Sequence, residues 1–362
     1  MDTDKLGLVF FIAILIVVIL GGALYVTKYR YPSGSDINLH LKLSQGWIAL
    51  DFPVFNEEYF NKGFPYPPAF HITLAVLSLL PVLDLIDIAN LLQVVLFPLI
   101  LVSTFYLIYN RLDIYTATVT TLLLATSPAF WDRGAQVIPQ AVDLLLLPLV
   151  VLFFIERKDR LFIAASCYLL YSHWLYAGLP IISLFAYSIF FERERIKVFK
   201  PMLLVSLPLI ILMGIHTPAM LKGEAFIPEA GGINEPQELG VRTEPLFAIK
   251  YLGYPLFFLI FISAIHLKFK NISNLEKITV LWILGLTPMI TFFPDRFIEY
   301  VAQPIAILGG ITTADLVKYR WRIPLLVCIF LFAFISQYNF YTVLITNGEV
   351  WMPLDTLSPF VR

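Results

Sequence analysis

Charge is scarce in this chain: Asp, Glu, Lys and Arg make up 14% of its 362 residues, where soluble domains carry roughly 25%. That shortage excludes a sizeable hydrophilic domain. A formal net charge of −1 gives nucleic acid no basic surface to bind and offers no general attraction to anionic lipid. Cysteine is scarcer still, with Cys167 and Cys328 both inside apolar runs and without metal-ligand spacing. They read as small buried apolar side chains. No internal repeat is visible, so the inverted symmetry common among secondary transporters is missing, and no tract is of low complexity.

What the chain has instead is apolar length. Hydrophobic residues reach 59% and mean hydropathy is +0.81. About 20 apolar residues cross the ~30 Å hydrocarbon core as a helix, so an all-α, polytopic integral membrane bundle of about 10–12 spans is expected. It forms a single membrane domain over residues 1–362. Candidate spans cover residues 6–26, 69–86, 88–109, 114–131, 138–155, 161–176, 178–191, 201–217, 246–266, 277–293, 298–316 and 323–342. The first is longer than the hydrophobic part of a signal peptide and has no clear small-residue cleavage site, so it is expected to remain as an uncleaved span. Pro81, Pro98, Pro148, Pro180 and Pro208 predict kinks or partial crossings.

Lysine and arginine set orientation. The basic loops Glu156 to Arg160, Glu192 to Lys200, His266 to Lys277 and Lys318 to Arg322 are separated by pairs of apolar runs, so all four fall on one side, the cytosolic one. The opposite face receives an external loop over 27–68, turns at Trp131 to Gln140 and Ser172 to Tyr176, a second external loop over 217–245, and Phe293 to Arg296. This assignment requires that 69–86 does not fully cross, and it leaves Lys28 and Arg30 against the rule. Most acidic residues not in basic loops gather on the external face, with His40, His71, His173 and Arg296. Polar groups at membrane depth are costly, so this convergence argues for a function there.

The most informative segment is the polar island Tyr31 to His71. Asp36 and His40 are four residues apart and share a helix face if Ser35 caps a short helix. Tyr66-Pro67-Pro68 then forces an extended entry into the next apolar run. Two later segments also carry unexplained charge: Ser127-Pro128-Ala129-Phe130-Trp131-Asp132-Arg133, followed by Asp143 within a span, and Asp295-Arg296-Phe297-Ile298-Glu299 with its sequel Gln303-Pro304-Ile305-Ala306.

The island, through Asp36, His40, Gly46 and Tyr66-Pro67-Pro68, resembles the first external loop of GT-C superfamily glycosyltransferases. The two later segments are similar to that family's third-to-fifth span region and to its late Arg then Pro-Ala-Leu-hydrophobic segment. The resemblance implies a GT-C-like fold. It also implies transfer of a sugar from a polyprenyl-phosphate or diphosphate donor to an acceptor, at the extracytosolic face of a plasma membrane, here of prokaryotic character, among membrane lipid. An acidic residue of the first loop sits at the active site in that family, and Asp36 matches it. No Asp-x-Asp or Asp-x-Glu follows the first span, which leaves metal use open.

Inverting glycosyl transfer needs a carboxylate to take the acceptor's proton and cations to steady the leaving phosphate. Asp36 is the candidate base, or else an N-terminal helix residue complementing the macrodipole. His40 orients Asp36, contacts phosphate, or is a polar surface group. Arg296 and Arg133 are candidates for the lipid phosphate, or they pair with their acidic neighbours Asp295, Glu299 and Asp132. Asp132, Asp143, His71, His173, Trp174 and Glu299 are candidate substrate contacts, the His173-Trp174 pair reading equally as an interface anchor. Glu57 and Glu58 are the candidate ligands for a divalent metal ion, or part of a solvated loop. Two readings of other classes stay open: a transporter or flippase of a lipid-linked or small polar substrate, and a non-catalytic GT-C-like scaffold subunit.

Overall fold

In hydrocarbon the backbone must satisfy its own hydrogen bonds, and helices do so within one segment. The computed structural model describes residues 3–29, 32, 37–50, 67–80, 83–128, 130, 134–221, 252–269, 271–292 and 294–347, and among these every regular element is helical. They are α1 (Thr3–Tyr29), α2 (Ile37–Ile48), α3 (Ala69–Leu77), α4 (Leu85–Arg111), α5 (Ile114–Leu124), α6 (Pro139–Ile155), α7 (Asp159–Phe191), α8 (Phe199–Leu221), α9 (Tyr254–Leu267), α10 (Asn274–Phe292), α11 (Pro294–Leu316) and α12 (Tyr319–Asn347), with a 3₁₀ turn at Arg193–Val198. Three of them are long and apolar enough to cross a membrane: α1, α4 and the Arg320–Asn339 part of α12. This is the composition of a membrane protein.

Helix α5 is the hub. Every residue from Tyr115 to Leu124 is buried, and α5 is packed by α1, α4, α11 and α12. Its four threonines are small enough to be buried with the apolar residues, as Thr118 and Thr121 bond back to carbonyls of their own helix. It starts sharply because the Asp113 carboxylate caps it, accepting from the Thr116 amide at 2.9 Å and the Thr116 hydroxyl at 2.7 Å. Glycines let neighbours close in on this hub. Gly7 of α1 lies against Thr118, and a Cβ on Gly310 of α11 would overlap the Thr120 hydroxyl.

Helix directions define two ends. Gly7 meets Thr118 near the start of α5, while Gly22 meets Val94 in the first half of α4, so α1 and α4 run antiparallel. Call the end that holds the starts of α1 and α5 the basal end, and the other the distal end. Helix α4 begins distally behind a capping box, the Asp84 side chain accepting from Asp87 N and Asp87 from Asp84 N. Helix α6 starts distally, Pro139 at its first turn following extended Ile138.

Helix α7 is a hairpin. Its backbone leaves the helical region at His173, with φ −152° and ψ 85°, and an apolar helix resumes over Tyr176–Phe191. Phe162 from the first arm and Tyr187 from the second both contact Phe154, with ring centroids 5.4 and 6.0 Å away, so the arms return to the same basal end. The expected turn at Ser172 to Tyr176 is this reversal, and it carries His173 to the distal end.

The run 69–86 is not one span. Nine-residue α3 ends at Leu77 and α4 starts anew at Leu85; a rise of ~1.5 Å per residue makes α3 far too short to cross. Its Phe70 and Leu74 pack with Ile37 and Leu41 of α2, Ile88 and Ala89 of α4, and Val137. Helices α2 and α3 therefore lie together at the distal end, as the orientation argument required. One cysteine departs from expectation: Cys328 is exposed and Cys167 only partly covered. Helix α12 buries one face against α1 and α5 and turns the Cys328 face outward with Leu331, Phe332 and Ile335, a face suited to lipid rather than water.

Candidate functional site: a buried histidine cluster at the distal end

The distal end gathers polar side chains inside an apolar shell. His40 from α2 and His71 from α3 are each 1% exposed, and His40 Nδ1 lies 3.0 Å from His71 Nε2. Their rings stack at 5.2 Å, and Phe70 closes edge-on against His40 at 5.6 Å. His71 also hydrogen-bonds the Pro67 carbonyl. The Tyr66-Pro67-Pro68 entry thus supplies a backbone acceptor one helical turn before His71. His173, from the tip of the α7 hairpin, is within electrostatic reach of His40.

Burial keeps these rings neutral. His40 is held well below its ordinary 6.5, first by burial and then by the neighbouring His71 and His173. His71 is pushed down to about 3 by burial, opposed by the Pro67 carbonyl. Charging either ring would place a cation among Ile37, Leu41 and Leu74, where an unpaired charge is strongly disfavoured.

A second group of polar side chains adjoins the first around α3. Thr73, two residues past His71, donates to the Ala69 carbonyl at 2.8 Å, so the Tyr168 hydroxyl at 3.0 Å donates to Thr73. Tyr168 lies within electrostatic reach of Asp143. Asp143 on α6 is fully buried, and neither carboxylate oxygen has a hydrogen-bond partner among the described residues. Gln140, one turn earlier on the same helix, carries a buried side-chain oxygen in the same condition. From α11, Gln303 donates to the Leu144 carbonyl and to the Thr104 hydroxyl, each at 3.0 Å. Tyr300, a turn before it, stacks on Tyr176 at 4.0 Å, and Tyr176 is 4.2 Å from the His173 ring.

Of the residues singled out in the sequence, the structure brings together His40, His71 and His173, with Asp143 beside them through Tyr168. Trp174 follows at the hairpin tip, its indole N–H buried without an acceptor among the described residues. Asp36, Glu57, Glu58, Asp132 and Arg133 lie outside the described residues. Arg296 and Glu299 fall on the first turns of α11, but their side chains also lie outside what is described. Sequence reasoning missed Thr73 and Tyr168, and it noted Tyr300 and Gln303 only as part of the late segment that begins at Asp295, not as site residues. Their one signal was polarity inside apolar runs, which single hydroxyls and amides share with ordinary helix interiors.

Among the described residues no group of three or more His, Cys, Asp or Glu side chains is arranged to hold a metal ion. Chemically, the cluster offers neutral imidazoles, a carboxyl, two amides and several hydroxyls in a dry setting. Such groups bind and orient a polar ligand. Comparison with models of known protein families finds no match to this chain, and comparison with curated proteins finds none either.

Proposed function

We propose that the chain is a polytopic, GT-C-like membrane glycosyltransferase that moves a sugar from a polyprenyl-phosphate or diphosphate donor to an acceptor at the extracytosolic face of a plasma membrane. The observation that carries this reading is the buried polar cluster of His40, His71, His173 and Asp143 at one end of an apolar bundle. The basic segments Glu156 to Arg160 and Glu192 to Lys200 sit at the other end, where Arg157 meets Glu192 and Glu194, and Arg195 meets Asp159. By the lysine and arginine rule that other end is cytosolic, which puts the cluster on the outside. The island that supplies α2 and its Tyr-Pro-Pro exit is the segment resembling the family's first external loop.

In this reading the lipid lies between helices, Asp36 takes the acceptor's proton, and Arg296 and Arg133 hold the phosphate. A divalent ion, if used, would be met by oxygen ligands such as Glu57 and Glu58. A carrier for a lipid-linked or polar substrate is the second reading. One observation favours it: Asp143 is an ionisable group buried within an apolar helix, the usual mark of a transport path.

Transfer of radiolabelled sugar from a panel of polyprenyl-phosphate sugars by purified protein in detergent tests the proposal. Turnover by wild type, abolished in folded Asp36→Asn, supports the enzyme. Absence of turnover with every donor, alongside substrate movement across reconstituted vesicles, supports the carrier.

A further inference from the structure

The basal corner where the α7 hairpin meets α8 uses up its acidic side chains. Glu156 holds Lys158 at 2.8 Å, Glu194 holds Arg157 at 2.7 Å, and Glu192 lies 3.6 Å from the same guanidinium. The Tyr187 hydroxyl also donates to Glu192, at 3.1 Å, and Asp159 meets buried Arg195. These links tie the start of α7, the end of its second arm and the 3₁₀ turn into one fixed frame. Four exposed cations stand on that frame, Arg160, Arg193, Lys197 and Lys200, and their side chains have no ion-pair or hydrogen-bond partner among the described residues. The formal net charge of −1 for the whole chain hides this local surplus.

Exposed apolar side chains flank these cations. Phe190, 71% exposed, and Phe191 end the arm that leads to Arg193, and Leu203 and Leu204 lie one turn beyond Lys200 on the outward side of α8. Lys277 of α10 reaches over the Phe191 ring at 4.9 Å and brings a further cation to the same place. A water-soluble acidic partner would meet the cations and leave the phenyl and leucyl groups wet. A phospholipid covers both, its phosphate against the cations and its chains along the apolar side chains. A zwitterionic headgroup brings its own ammonium into a region already rich in positive charge, whereas a net-negative one gains from every nearby Lys or Arg.

We propose that this corner binds anionic phospholipid from the leaflet at the basal end, with the four unpaired cations on the headgroup and the Phe190-Phe191 and Leu203-Leu204 pairs against the acyl chains. The proposal rests on the membrane setting of the bundle and not on the glycosyl-transfer reading, which concerns the other end.

Titration of the full chain in maltoside micelles with phosphatidylglycerol or phosphatidylcholine, followed by native mass spectrometry and thermal unfolding, tests it. Phosphatidylglycerol should bind at least about tenfold more tightly, and inorganic phosphate or polyglutamate should not displace it. Arg160→Gln, Arg193→Gln, Lys197→Gln and Lys200→Gln combined should bring the two lipids within about threefold of each other. A control that removes the same charge from exposed positions elsewhere at the basal end, Lys5→Gln, Lys268→Gln, Lys318→Gln and Arg320→Gln, should keep most of the preference. Equal binding of the two lipids by wild type, equal loss in both variants, or displacement by polyglutamate overturns the proposal. A phosphatidylglycerol with a diazirine on its acyl chain supplies a readout on wild type alone. Label on the peptides holding Phe190, Phe191, Leu203 and Leu204, competed by phosphatidylglycerol and not by phosphatidylcholine, is expected; competable label confined to other helices overturns it.

Discussion

His71 bridges two partners, the Pro67 carbonyl on one side and His40 Nδ1 at 3.0 Å on the other. The pair also makes stability depend on pH. Both rings titrate below their ordinary 6.5 in the folded protein, so the unfolded chain binds more protons as pH falls below that value. Stability is therefore full above about pH 6.5 and declines toward the folded value of about 3 for His71, by about 1.4 kcal/mol per pH unit for each histidine. Thermal unfolding of wild type and His71→Gln between pH 7 and pH 5 checks this. The variant should start less stable and show the shallower slope; parallel slopes would contradict the neutral pair.

Asp143 should trade stability against function. Asp143 has no hydrogen-bond partner among the described residues, and Asn keeps its shape but cannot ionise, which removes any cost of charging the site, so Asp143→Asn is expected to unfold at the same temperature as wild type or higher. Sugar transfer should fall by at least about tenfold, the factor that ~1.4 kcal/mol represents. A stabilised variant with full activity would make Asp143 a bystander.

The basal end is locked by Arg195. Its guanidinium is buried, 2.5 Å from Asp159 Oδ1 and 3.0 Å from the Phe154 carbonyl, and stands over the Phe154 ring at 4.9 Å. Arg195→Ala removes one of the two donors to the Phe154 carbonyl, the Arg157 amide remaining, and opens a void beside the Phe154 ring, for a loss of about 1–2 kcal/mol. Asp159→Asn should lose much less, because Asp159 is 44% exposed and water screens it. Denaturation in mixed micelles ranks the two variants. Neither change touches the distal cluster, so donor binding should survive in both.

Gly310 is expected to tolerate no side chain. A Cβ there would overlap the Thr120 hydroxyl and come within 3.0 Å of the Thr120 Cα, on a hub helix buried on every side. Gly310→Ala should destabilise by about 1–3 kcal/mol, and adding Thr120→Ala should recover part of it. A double-mutant cycle in thermal unfolding gives the coupling; simple additivity would mean that α5 and α11 do not touch here as described.

Much of the architecture was legible because long apolar runs and basic loops are strong signals. The turn at Ser172 to Tyr176 and the incomplete crossing by 69–86 both followed from charge alternation. His40 and His71 stood out as histidines flanking a polar island, yet nothing in their 31-residue separation announced a direct hydrogen bond. That contact depends on α2 and α3 packing through Ile37, Leu41, Phe70 and Leu74, a tertiary event. Tyr168, Thr73 and Gln303 stayed hidden because a hydroxyl or amide inside a helix usually bonds its own backbone, as Thr121 does with Ala117 and Ser188 with Leu184. Only the fold distinguishes the ones that reach across. Cys328 was misjudged for a related reason: in lipid, apolar sequence does not separate the face that packs from the face that does not.

The central claim is that a lipid-linked sugar lies among α2, α3, α6 and the α7 hairpin. A polyprenyl-phosphate glucose carrying a photoreactive diazirine on the sugar, irradiated with the protein in nanodiscs and followed by peptide mapping, tests it most directly. The account predicts label on peptides from 37–48, 69–77, 139–155 and 159–191, concentrated around His40, His71 and His173 and competed away by unmodified donor. Competable label confined to the basal loops or to α8 and α12 would contradict it.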